Sequence, residues 1–132
     1  MKTQSFRILV ADDDQNISFI VSTILRHQGH TVEVVQNGKE AIHLVTIKPD
    51  YFEVVITDHD MPLISGLEVA DHLRKNGYQV KIIVLSGSLT SELVSAYRSK
   101  LVDNILQKPF TIENLSSALT GILDTWQGVV YA

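Results

Sequence analysis

The sequence predicts an α/β fold, a five-stranded parallel sheet ordered 2-1-3-4-5 and flanked by five helices. Two observations predict it: short apolar runs alternate with helical patterns along the whole chain, and the runs differ in how continuously apolar they are. A strand buried on both faces reads as a near-continuous apolar run, whereas a polar interruption marks a face that meets solvent. The second and fifth runs carry polar residues, so they are expected at the edges. The first, third and fourth are expected in the centre. This is the flavodoxin-like doubly wound order, whose crevice lies above the carboxyl ends of the strands where the winding reverses.

The first strand is Phe6 to Ala11. A helix then begins after Asp14, carries Ile17, Ile20, Val21, Ile24 and Leu25 inward, and ends at Gly29. The second strand, Thr31 to Val35, is interrupted by Glu33. Asn37-Gly38 turns the chain into a helix with Ala41, Ile42 and Val45, which stops ahead of Pro49. Phe52 to Thr57 is the third strand. Its helix starts after Gly66, places Leu67, Ala70 and Leu73 inward, and ends near Asn76-Gly77. The fourth strand is Val80 to Leu85, and its helix spans Thr90 to Lys100. The fifth strand, Asn104 to Gln107, precedes a last helix from Thr111 with Ile112, Leu115, Leu119, Ile122 and Trp126 on one face.

Composition narrows the chemistry. The 132 residues suit a single core, with 45% hydrophobic and 20% charged residues, and the formal charge of −4 provides no basic field for nucleic acid or anionic membrane. The absence of cysteine removes disulfides, thiolate catalysis and thiolate metal sites. The apolar stretch at the N-terminus is too short for a signal segment or membrane span, so a cytoplasmic location is expected.

Four polar groups stand at predicted strand ends: Asp12-Asp13-Asp14, Asp58 followed by His59-Asp60-Met61-Pro62, Ser86-Gly87-Ser88, and Lys108-Pro109-Phe110. The strand order brings three acids, a hydroxyl and an ammonium to one cleft. Crowded carboxylates need a divalent cation or raised pKa values, and oxygen-only ligands suit a hard ion such as Mg²⁺. Lys108 and Ser86 can take the remaining oxygens of a phosphoryl group, and an aspartate carboxylate is a competent nucleophile for its transfer. Asp14 is expected to cap the first helix. His27, His30, His43 and His72 form no metal-spaced pair and are expected at the surface, and a loop position is enough to explain His59.

The segments ILVADDD, VVITDHDMP, VLSGS and QKPF resemble the response-regulator receiver family of two-component signalling, from about Arg7 to Leu123 and in the family's order. The resemblance implies one receiver domain over 6–127 with no second domain. It implies that Asp58 is the phosphoacceptor, with Ser86 and Lys108 handling the phosphoryl group. It further implies that Asp13 and Asp58 bind Mg²⁺ directly, Asp12 mainly through water and Asp60 through its carbonyl. The implied donor is a histidine kinase or histidine phosphotransfer protein. The implied output is a downstream protein target, or a self-dimer, through the fourth helix, fifth strand and last helix, with no direct contact to nucleic acid or membrane. Because few residues follow the last helix, no output domain is expected on it. Beyond catalysis of its own phosphorylation and slow dephosphorylation no enzymatic turnover is implied, and Lys108–Pro109 is a candidate cis bond.

Three departures stand out. Ile105 occupies the position where many family members have Tyr or Phe, so a smaller rearrangement than an aromatic swing is expected. Lys100-Leu101-Val102 replaces the family's Ala-Gly-Ala/Val, so the fourth helix must end without its usual glycine. His59 and Asp60 replace the usual residues after the phosphoacceptor, which implies an altered acyl-phosphate lifetime. Leu89, Leu93, Val94, Tyr97, Leu101 and Val102 exceed one inward stripe, which fits either packing or an exposed interaction face. The Asp58-His59-Asp60 segment also resembles haloacid-dehalogenase-type phosphatases. Pro62 and the unused acid pair on the first strand argue against that reading. A pseudo-receiver is the third alternative, weakened because every metal and phosphoryl residue is present.

Overall fold

A computed structural model describes residues 5–122 and the short strand Val129–Val130. The element order is β1 (Arg7–Ala11), α1 (Gln15–His27), β2 (Thr31–Val35), α2 (Gly38–Ile47), β3 (Val54–Asp58), α3 (Gly66–Lys75), β4 (Lys81–Ser86), α4 (Ser91–Ser99), β5 (Asn104–Gln107), α5 (Ile112–Gly121) and β6 (Val129–Val130). All strands pair in parallel in the order β2-β1-β3-β4-β5-β6. The predicted 2-1-3-4-5 core is therefore present. β5 is not an edge, however, because Val129–Val130 pairs alongside Ile105 and Leu106. Two residues are too few to give a periodic signal, so the sequence offered no strand there. Trp126, assigned by pattern to the last helix, lies outside the described residues.

The strands alternate their side chains between two cores. Ile8, Val10, Val54, Ile56, Ile83, Leu85 and Leu106 face α1 and α5, meeting Val21, Leu25, Leu115 and Leu119. Leu9, Ala11, Val55, Ile82, Val84 and Ile105 face α2, α3 and α4, meeting Ala41, Val45, Val69, Leu73 and Tyr97. Burial of each large side chain contributes about 1.5–3 kcal/mol, so the two cores carry the stability of the fold.

Two helices turn differently from their apolar patterns. On α1, Ile20 is exposed and Ser18 and Ser22 are buried instead. The small serines lie on the buried face while their hydroxyls bond back to the Gln15 and Phe19 carbonyls. On α5, Leu115, Leu119 and Ile122 are buried as expected, but Ile112 in the first turn is exposed. The strand bounds also shift: β3 begins at Val54 and includes Asp58, and β4 runs from Lys81 to Ser86.

Helix starts follow their caps. Asp14 accepts from the Asn16 and Ile17 amides, as the sequence indicated, and Asn37, Ser65, Thr90 and Thr111 cap the other four. At the helix ends, Gly29 (φ 96°) and Gly77 (φ 79°) take the left-handed conformation after α1 and α3. After α4 the same position is filled by Leu101 (φ 58°), which is largely exposed. The helix ends without glycine by forcing a leucine into backbone that glycine adopts freely.

Candidate functional site

Parallel pairing lines up the carboxyl ends of β1, β3, β4 and β5, and each predicted site residue sits at or just beyond one of them. Asp12 follows β1, its amide donating to the Val35 carbonyl, and its side chain is fully buried. Asp58 closes β3 and is also buried, while Asp13 is exposed. One carboxylate oxygen from each of Asp12, Asp13 and Asp58 lies within 4.8 Å of the other two. Lys108 Nζ is 2.7 Å from Asp58 Oδ1 and 3.8 Å from Asp12 Oδ2. The Lys108 amide donates to the Ser86 carbonyl at 2.8 Å, and the Lys108–Pro109 bond is cis, as the sequence singled out.

Burial sets the electrostatics. The Asp12 carboxyl is pushed up to about 6, chiefly by loss of water, with a hydrogen bond from the Asp14 amide and the charge of Lys108 opposing and Asp58 and Asp13 adding. Asp58 is raised for the same first reason; the hydrogen bond and charge of Lys108 pull it back, and Asp60 and Asp13 push it up. Asp12 Oδ2 is buried without a hydrogen bond, and Asp58 Oδ1 has only the Lys108 ammonium. An oxygen left unpartnered like Asp12 Oδ2 carries a large desolvation cost unless a cation takes it.

The donor set therefore fits a small hard cation. Asp12, Asp13 and Asp58 would hold such an ion through carboxylate oxygens alone, the donor type that hard cations prefer. Asp60, exposed two residues beyond Asp58, stands beside the same cluster. Ser86 is buried at the end of β4, but its hydroxyl is engaged in its own turn, donating to the Ser88 carbonyl at 2.8 Å. The structure thus brings Asp12, Asp13, Asp58 and Lys108 together and leaves the Ser86 hydroxyl turned toward Ser88.

Two features escaped the sequence. His59 is half-buried, and its Nδ1 lies 2.5 Å from the Tyr97 hydroxyl on α4, across 38 residues. His30 is likewise not a plain surface residue: its ring stacks on Phe6 and its Nδ1 accepts the Phe6 amide at 3.0 Å. Partial burial lowers its pKa. Neither partner is recoverable from spacing, because both bonds join distant segments. Of the apolar residues around α4, Tyr97 and Val102 are buried, Leu89, Leu93 and Val94 pack partly against the core, and Leu101 is exposed.

Comparison with known proteins agrees with this geometry. Residues 8–120 match the family described as the response regulator receiver domain. The chain is 36% identical over 118 residues to the response regulator MprA of Mycolicibacterium vanbaalenii, covering 89% of this chain and 50% of that protein. It thus spans about half the length of the curated relatives it matches. Among solved structures, a response regulator receiver domain protein from Clostridium thermocellum superposes with a TM-score of 0.83 at 26% identity, covering 89% of this chain and 94% of the other. The Vibrio cholerae chemotaxis protein CheY4 gives 0.82 at 26% identity, with 90% and 99% covered.

Proposed function

The chain belongs to the response regulator receiver domain family of two-component signalling, and on that premise we propose that Asp58 accepts a phosphoryl group from a histidine kinase or histidine phosphotransfer protein. The observation that carries this reading is the buried Asp58 carboxylate held at 2.7 Å by Lys108 beside Asp12 and Asp13. An Asp58 oxygen attacks the phosphorus of a phosphohistidine. The P–N bond breaks, the imidazole leaves, and an acyl phosphate remains on Asp58. Lys108, already paired with Asp58, takes a phosphoryl oxygen once negative charge builds up there. Ser86 joins it by turning its hydroxyl away from Ser88.

Asp13 and Asp58 hold Mg²⁺ directly in this reading, with Asp12 through water and Asp60 through its carbonyl. When bound, that ion neutralises the acids and draws in a phosphoryl oxygen. Phosphorylation then biases the domain between two conformations read by a downstream protein or a second copy through α4, β5 and α5. The domain catalyses only its own phosphorylation and slow dephosphorylation. No described helix is long and apolar enough to cross a membrane.

The test is incubation with acetyl phosphate and Mg²⁺ followed by intact mass. A phosphoryl adduct in the wild type that disappears in Asp58→Ala supports the reading. No adduct in the wild type, or equal labelling in the variant, overturns it. Steady turnover of a generic phosphate ester would favour the phosphatase alternative instead.

A further inference from the structure

The Tyr97 hydroxyl is the polar atom of a side chain with no exposure to solvent, and its hydrogen-bond partner is the residue next to Asp58. Tyr97 lies near the end of α4 in the same core layer as Val84 and Ile105. Its ring meets the His59 ring edge-on, with centroids 5.5 Å apart and an interplanar angle of 75°. His59 in turn is fixed at both ends of its own backbone. Its amide donates to the Leu85 carbonyl at 2.8 Å, and its carbonyl accepts the Gly66 amide at 3.0 Å. Gly66 shows how closely these parts meet: a Cβ there would stand 2.5 Å from the Asp58 carbonyl, 2.9 Å from the Tyr97 hydroxyl and 3.0 Å from His59 Cα. The phosphoacceptor's carbonyl, the start of α3 and the end of α4 therefore converge on one point with no free volume.

We infer that Tyr97 is a positioning residue which, through its hydrogen bond to His59, ties helix α4 to the segment carrying Asp58, so that occupancy of the site is passed to α4 by this bond. The inference rests on Asp58 being the phosphoacceptor. It also accounts for Ile105: an aliphatic residue on β5 has no polar tip to report on the site, whereas Tyr97, from α4, does. Close packing makes such a link effective, because a shift at Asp58 must be accommodated by displacement of the groups it touches. By reciprocity, loosening α4 alters the affinity of the site by the same factor.

The experiment uses beryllofluoride with Mg²⁺ as the probe. Bound beryllofluoride is followed by its fluorine resonance, and amide hydrogen exchange is read on peptides covering Ser91–Ser99. In the wild type, the probe should change exchange in α4 by about threefold or more. Tyr97→Phe, which keeps the ring and loses the hydroxyl, should still show bound beryllofluoride while its α4 change shrinks to within about 1.5-fold. His59→Leu, which has no hydrogen-bonding atom in its side chain, provides the same readout at a half-buried position if Tyr97→Phe does not fold. The double variant should be no more affected than either single one, since both remove one bond. Bound probe with an undiminished α4 response in the folded variants overturns the inference. Absence of bound probe in the wild type overturns the phosphoacceptor reading itself, and the inference falls with it.

Discussion

Aspartates stand at both ends of the sheet, largely covered at one and buried at the other, and their surroundings differ in one respect that separates binding from folding. Asp103, at the amino end of β5, accepts the Ile82 amide at 2.8 Å and pairs with Arg74 at 3.4 Å and Lys81 at 3.7 Å. Arg74 also donates to the Leu101 and Tyr78 carbonyls, so the charges close upon themselves. Asp12, at the carboxyl end of β1, has one oxygen on the Asp14 amide and the other without a hydrogen bond. Burial raises the pKa at both places. At Asp103 an amide and two cations answer it; at Asp12 and Asp58 one lysine faces three acids. A completed network holds elements together, and an incomplete one leaves buried carboxylate oxygens that a cation could take.

The contrast breaks most sharply if Asp58 is removed. Asp58→Ala should abolish phosphorylation by acetyl phosphate while leaving the fold intact by circular dichroism; residual labelling at another aspartate would place the nucleophile elsewhere. The next largest effect belongs to the other end. Asp103→Ala leaves the half-buried Arg74 without its carboxylate and the Ile82 amide without its acceptor, and should cost about 2 kcal/mol of stability in urea unfolding, with phosphorylation retained. Loss of phosphorylation in a folded Asp103→Ala protein would mean that the two ends are not separable.

Asp12 should behave in the opposite sense. Its folded pKa of about 6 lies above the ordinary 3.8, so the folded state binds the extra proton. Stability of the metal-free protein should therefore fall as pH rises from about 4 to 6, because unfolded Asp12 gives up its proton first. Asp12→Asn should flatten that slope, add about 2 kcal/mol at pH 7 and weaken Mg²⁺ binding at least about tenfold. Thermal melts across pH and a Mg²⁺ titration decide it, and a destabilised Asp12→Asn would show that the cluster supports the fold. The smallest effect concerns Leu101, whose carbonyl completes the Arg74 network. Leu101→Gly relieves the left-handed strain without touching that carbonyl and should stabilise by about 0.5–1 kcal/mol. A lower melting temperature would mean that the exposed leucine side chain contributes packing.

These two ends were not equally legible in the sequence. The carboxyl-end site could be read because parallel pairing collects strand termini, and Asp12, Asp13, Asp58 and Lys108 all directly follow or close apolar runs. The Asp103–Arg74–Lys81 network could not, because its charges come from three separate segments and no local pattern marks them as partners. Ile20 on α1 was misassigned for a related reason: periodicity fixes which residues share a face, but here close packing favoured the small Ser18 and Ser22. The His59–Tyr97 bond depends on how α4 lies over the turn after β3, which no local pattern encodes.

Gly66 has a consequence for how this protein tolerates change. Open space surrounds the Cβ position of Gly87, whereas that of Gly66 is already filled by the Asp58 backbone. A substitution that looks minor in the alphabet of amino acids, one added methyl, would drive a wedge between two load points of the architecture. The sequence is therefore free to drift beside the site's rim and frozen beneath its floor. That floor contributes none of the charges that make the chemistry, yet it decides which mutational paths remain open to them.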